Sequence, residues 1–122
     1  MKERIFIYGM GKIGIRTYLQ LKDNGLSASG FIDKNVFKQM GGVDGLKCYS
    51  IDEYKKQSSS NDIVIYAIKD RSEKMNVYYR LSVPLVDYEE FTRHLEMEYT
   101  PIKSIDELYE QYTRIKKVCL SK

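Results

Sequence analysis

Apolar residues in this chain fall in short unbroken runs, separated by stretches in which they recur with helical spacing. Arg4 to Tyr8 holds four consecutive apolar residues, a run suited to a strand buried on both faces of a parallel sheet. From Lys12 to about Asn24 the period changes. Ile15, Tyr18, Leu19 and Leu21 form an apolar face while Arg16, Gln20 and Lys22 face water, which predicts a helix. Asn24-Gly25 ends it with residues that tolerate a left-handed cap. Ala28 to Asp33 reads as the second strand. Lys34 to Gly45, with three glycines, reads as a loop, and Leu46 to Tyr49 as a short third strand.

Ser50-Ile51-Asp52-Glu53 has the form of a capping box, in which serine and glutamate satisfy each other's free amides at a helix start. That helix should end near Gln57, with a turn at Ser58-Ser59-Ser60. Asp62 to Ile68 is the clearest buried strand. Glu73 to Leu81 reads as helix, Pro84 to Val86 as a short strand, and the chain from Asp87 as helical, with Tyr88, Phe91 and Leu95 on one face. Thr100-Pro101 breaks that helix. A second capping box at Ser104-Ile105-Asp106-Glu107 starts another, with Ile105, Leu108, Tyr109, Tyr112 and Ile115 as its stripe. The alternation predicts an α/β fold: a parallel sheet of about five strands flanked by helices, with a C-terminal helical extension. Residues 1–90 form the α/β unit in this reading, and residues 91–122 are helices packed on it or extending it.

Composition narrows the classes. The chain has 122 residues, 43% hydrophobic and 30% charged, and a net charge of +3, which suits one globular domain with a modest core. No basic run is long enough to point to nucleic acid. No apolar run approaches the ~20 residues that cross a bilayer. The apolar segment after Met1-Lys2-Glu3-Arg4 is too short for a signal-peptide core, so a cytoplasmic protein is expected. Cys48 and Cys119 are far apart and read as reduced thiols. His94, the single histidine, reads as a surface helix residue, and no metal site is expected.

Candidate chemistry begins where the first strand ends. Ile7-Tyr8 runs into Gly9-Met10-Gly11-Lys12-Ile13-Gly14, a G-x-G-x-x-G turn opening a helix. In a dinucleotide-binding turn the first glycine permits the tight bend. The second lets backbone approach a pyrophosphate, and the third lets helix pack on strand. The helix then directs free N–H groups at the phosphates. Asp33 ends the second strand 24 positions after Gly9, a spacing suited to a carboxylate that accepts from ribose hydroxyls. An acid there disfavours a 2′-phosphate, and it could equally cap the turn before Lys34-Asn35. Lys12 could reach phosphate oxygens or be solvated. Met10, Ile13, Lys34, and Ala67 and Lys69 at the end of the central strand complete the candidate binding set. Asp70 and Arg71 follow as residues that could touch the distal half of a ligand or serve only as charged loop residues.

A catalytic set is harder to assemble. Tyr-x-x-x-Lys spacings include Tyr8/Lys12, Tyr99/Lys103 and Tyr112/Lys116, but 11 tyrosines in a lysine-rich chain produce such spacings by chance. No nucleophile elbow, zinc motif or Walker loop is present. The expectation is a chain that holds a nucleotide without a complete active site of its own.

Ile7-Tyr8-Gly9-Met10-Gly11-Lys12-Ile13-Gly14, then Gly30-Phe31-Ile32-Asp33, a glycine-containing loop, and Tyr49-Ser50-Ile51-Asp52-Glu53 together resemble one family. It is the Rossmann-like N-terminal domain of bacterial nucleotide-sugar epimerases/dehydratases and sugar acyltransferases of surface polysaccharide biosynthesis. The likeness spans residues 4 to 90. It implies a bound nucleotide, nucleotide-sugar or NAD, with Gly9, Gly11, Lys12, Gly14 and Asp33 as ligand residues. The catalytic domain of the epimerases and the hexapeptide repeats of the acyltransferases are not represented, so the chain reads as an excised domain, a stand-alone regulatory subunit or a degenerate copy that keeps only the fold, with a homo-oligomer or a separate catalytic subunit as candidate partners. The chain is also similar to the NAD-sensing domain of potassium-channel regulators, without the G-D-A segment usual there. A third reading is an interaction module with an empty crevice, using its tyrosine-rich helices for contact.

Overall fold

The chain begins its described structure at Glu3 and ends it at Met97, in a computed structural model. Strand β1 (Arg4–Tyr8) leads through the glycine turn into helix α1 (Lys12–Asp23) and strand β2 (Gly30–Ile32). A one-turn helix α2 (Val36–Gln39), strands β3 (Gly42–Val43) and β4 (Leu46–Tyr49), and helix α3 (Ile51–Gln57) follow. Strand β5 (Asp62–Tyr66), helix α4 (Lys74–Leu81), strand β6 (Leu85–Asp87) and helix α5 (Tyr88–Met97) complete the order. The sheet runs β3-β4-β2-β1-β5-β6 and is parallel except for the β3/β4 pair.

The unbroken apolar runs occupy the middle of the sheet because both of their faces are covered. All five residues of β5 are buried. Side chains alternate: Ile7, Ile63 and Ile65 enter the core beneath α1 and α5, with Tyr18, Leu21, Phe91 and Leu95. Phe6, Tyr8, Val64 and Tyr66 enter the core beneath α3 and α4, with Tyr54, Val77 and Leu81. α5 therefore shares the core of the α/β unit.

Helix ends follow the expected chemistry. Ser50 and Glu53 form the capping box that starts α3, each bonding the other's backbone N–H at 3.1 Å. Gly25, at φ +74°, follows α1, where Asn24 folds its side-chain amide back onto the Gln20 carbonyl.

Three details differ from expectation. The stretch 34–45 is not a plain loop. It holds α2 and a two-residue hairpin in which Asp44 and Gly45 both have positive φ (50° and 81°), the geometry that matches the twist of adjoining strands. That hairpin gives the sheet six strands, the additional one antiparallel. Leu19 is 47% exposed rather than on the buried face of α1, because it stands about 100° around the helix from Tyr18 and well away from Leu21. His94 lies on α5 but is half-buried, with Nε2 shielded from solvent and unbonded among the described residues. Cys119, both later Tyr/Lys pairs and the second capping box lie outside the described residues.

Two buried acids tie the ends of the sheet. At the foot, Asp62 accepts from Arg4 Nε and Nη2 (both 2.9 Å), from the Tyr54 hydroxyl (2.8 Å) and from Ser59 N–H (3.0 Å). Burial, then the bond to Asp62, pushes the Tyr54 hydroxyl far above its ordinary range. At the other end, Asp87 accepts from Arg71 Nε and Nη2 at 2.7 and 3.1 Å.

Cys48 is fully buried, and burial followed by the nearby Asp33 charge pushes its thiol up to about 11. At pH 8 only about one molecule in a thousand then carries the reactive thiolate. Iodoacetamide at that pH should leave Cys48 unmodified in the native protein and label it after denaturation, as read by peptide mass mapping. Native labelling at the rate of a free thiol would contradict this placement.

Candidate functional site

Chain direction creates a crevice at the carboxyl ends of β1 and β5. β1 is followed by a crossover to β2 on one side, while β5 lies on its other side, so the strands' connections diverge there. The turn that fills this switch point is sewn to both neighbours. Gly9 N–H donates to the Ile32 carbonyl at 2.7 Å, and Ala67 N–H donates to the Tyr8 carbonyl at 2.9 Å.

The three glycines have different physical explanations. Gly9 has φ +104°, and a Cβ there would lie 3.0 Å from both the Ala67 carbonyl oxygen and Ile68 Cγ1. A Cβ on Gly14 would run into the Gly9 carbonyl group, whose carbon would be 2.8 Å away. The fold itself requires both. Gly11 is different. Its φ of −101° suits any residue, and within 4 Å its Cβ would meet one atom, Lys38 Nζ at 3.2 Å, the free end of a flexible side chain. The space above Gly11 is otherwise open.

Asp33 caps the turn before Lys34-Asn35 and also braces the glycine turn. Its Oδ1 accepts from Asn35 N–H, capping the turn, and its Oδ2 accepts from Met10 N–H in the glycine turn, each at 2.9 Å. A carboxylate offers about four lone-pair sites, so two backbone bonds leave acceptor capacity on Asp33. Gln39 Nε2 donates to the Asp33 carbonyl at 2.8 Å, and Lys38 Nζ donates to the Met10 carbonyl at 3.2 Å. No acid and no side-chain cap occupies the first turn of α1.

Gly9, Met10, Gly11, Asp33 and Ala67 thus come together around the crevice. Lys12 is exposed at the start of α1. The Ile13 side chain packs against the core on the α5 side. Lys34 turns to Glu73 at 2.9 Å, and that bond holds its ammonium above the ordinary range. Lys69 is exposed, with its carbonyl accepting from Arg71 Nη1. Asp70 caps the next turn through Ser72 N–H, a bond that lowers its carboxyl below the usual range. Arg71 is engaged by Asp87 and, at 2.6 Å, by Glu89, so both acids raise its pKa and its charge is balanced within the fold.

Tyr8 and Lys12 are not a proton-transfer pair. Tyr8 is buried and stacks on Tyr66 (centroids 5.7 Å apart, planes 7° apart) on the α4 side, and burial raises its hydroxyl. Among the described residues, no group of three or more His, Cys, Asp or Glu side chains is placed to hold a metal ion. No described helix is long and apolar enough to cross a membrane. A shallow groove of about 230 Å³ runs between α1 and α5, past Arg16 and Arg93, but does not include Gly9, Gly11 or Asp33.

Lys38 and Gln39 are the residues the sequence pattern missed. Their signal was Asn35, which caps α2 by accepting from Phe37 N–H and aims this single turn back at the glycines.

A parallel α/β sheet with a glycine turn at its switch point defines a Rossmann-like domain. A solved structure with a similar fold is UDP-D-quinovosamine 4-dehydrogenase from Vibrio fischeri, at a TM-score of 0.54 and 20% identity over 71% of this chain and 78% of that one. No protein-family model and no curated protein matches the sequence.

Proposed function

We propose that this chain is a cytoplasmic nucleotide-binding domain of bacterial surface-glycan biosynthesis, taking NAD or a nucleotide-sugar at the Gly9–Gly14 turn. The observation that carries the reading is Gly11: the fold explains Gly9 and Gly14, whereas the missing side chain at Gly11 leaves open space beside backbone where phosphates could approach. Asp33, at the end of β2, would accept from ribose hydroxyls with its remaining lone pairs. The structural neighbour's name gives a UDP-sugar as the compound it acts on, which supports the nucleotide-sugar class. Residues 1–90 carry the nucleotide in this reading, and the reacting machinery is supplied by another domain or subunit.

A thermal-shift panel of NAD, NADP, UDP-sugars and AMP tests it. A ligand at about a hundred times its Kd should stabilise the domain by about 2.7 kcal/mol. NAD or a UDP-sugar should produce this shift and NADP a smaller one, because the Asp33 carboxylate repels a 2′-phosphate. The absence of a shift with every compound would overturn the nucleotide reading. It would favour the interaction-module alternative, for which Val36, Phe37 and Met40, 64%, 83% and 80% exposed, supply an apolar surface.

A further inference from the structure

We infer that Lys38 is a phosphate-binding residue of this crevice, meeting the 5′-diphosphate that NAD and nucleotide-sugars both carry. The inference rests on the nucleotide reading above and adds a residue and a ligand feature to it. Lys38 Nζ stands 3.2 Å from where a Gly11 Cβ would be, and it bonds the Met10 carbonyl at 3.2 Å. That carbonyl is a neutral partner. No carboxylate lies within ion-pair distance of Lys38 among the described residues, whereas Lys34, Lys47 and Arg71 each have one. An ammonium has three donors, so at least one remains to meet an anion above Gly11.

The order of charges along the crevice suits that ligand. Asp33 lies at the end of β2 as an acceptor suited to hydroxyls, and Lys38 follows over the glycine turn as a cation suited to phosphate. A ribose followed by a 5′-diphosphate presents those groups in the same order. Lys38 is also able to move. α2 contains no buried residue, and the hydrogen bonds that tie it to the glycine turn and the end of β2 are Asn35 N–H to Asp33, Gln39 to the Asp33 carbonyl and Lys38 to the Met10 carbonyl. An element without buried apolar contacts opens at low free energy. An entering phosphate would replace the Met10 carbonyl as the acceptor of Lys38, exchanging a hydrogen bond to a neutral carbonyl for an ion pair between ammonium and phosphate.

The test measures Kd for ADP, UDP and NAD by calorimetry with the wild type, Lys38→Met and Lys38→Arg, alongside their melting temperatures. Lys38→Met should weaken the tighter ligand about tenfold or more, with its melting temperature unchanged, and Lys38→Arg should stay within about threefold of wild type. Wild-type affinity in Lys38→Met would overturn the role of Lys38 and leave the nucleotide reading standing. Equal losses in both variants would show that shape rather than charge is responsible and would also overturn it. Failure of the wild type to bind ADP, UDP and NAD would sink the nucleotide reading itself, and the Lys38 inference with it.

Discussion

Gly14→Ala should destabilise the domain by about 3 kcal/mol or more, enough to leave it largely unfolded or to lower its melting temperature by more than about 10 °C. The added methyl would meet the Gly9 carbonyl group, which cannot step aside. Gly9 is held at φ +104° with its N–H bonded to Ile32, and it is crowded on its other side by Ala67 and Ile68. Relief would require α1 to lift off β1, exposing Tyr18 and Leu21. Gly11→Ala is the matched control: its conformation is ordinary and its one neighbour is a lysine tip, so the fold should be unaffected. Chemical denaturation followed by circular dichroism compares the two. A Gly14→Ala protein as stable as wild type would show that the helix and strand do not pack as described.

Asp62→Ala should cost about 3–5 kcal/mol, the range for breaking a buried ion pair. Asp62 is 1% exposed and accepts four hydrogen bonds, so its removal strands the Arg4 guanidinium, the Tyr54 hydroxyl and the Ser59 N–H at once. Arg4 retains its bonds to Gln57 and keeps some contact with water, which places the loss toward the lower end. Tyr54→Phe removes a single partner of a charged acceptor and should cost about 1.5–3 kcal/mol. Urea unfolding of the two variants reads both values. A loss below about 1 kcal/mol for Asp62→Ala would mean that the cluster contributes little to holding β1, α3 and β5 together.

The parts readable in the sequence were those whose signal is local and repeated. β1 and β5 announced themselves by continuous apolar runs, and α3 by a capping box whose two hydrogen bonds both form. The parts missed lacked such a signal or lay beneath a stronger one. Val43-Asp44-Gly45-Leu46 is a good hairpin sequence, but it sits among glycines that read as loop. α2 buries no residue, so it has no apolar period to detect. Of the candidate site, the glycine turn and Asp33 could be read from spacing. The opposite fates of Gly11 and Gly14 could not, because they depend on which backbone atoms lie where a Cβ would stand. Nor could the contact between Lys38 and Met10, which are 28 positions apart and meet only through the β1/β2 pairing.

The short outer strands have a consequence for behaviour at high concentration. β3 offers two residues at one margin of the sheet and β6 three at the other, and β6 is preceded by Pro84, whose carbonyl serves Val64 and which has no N–H to present outward. A neighbouring molecule seeking to extend the sheet would find too few free donors and acceptors in line to nucleate a shared ladder. Among the described residues, the sheet therefore presents no long edge on which a second copy could add a strand.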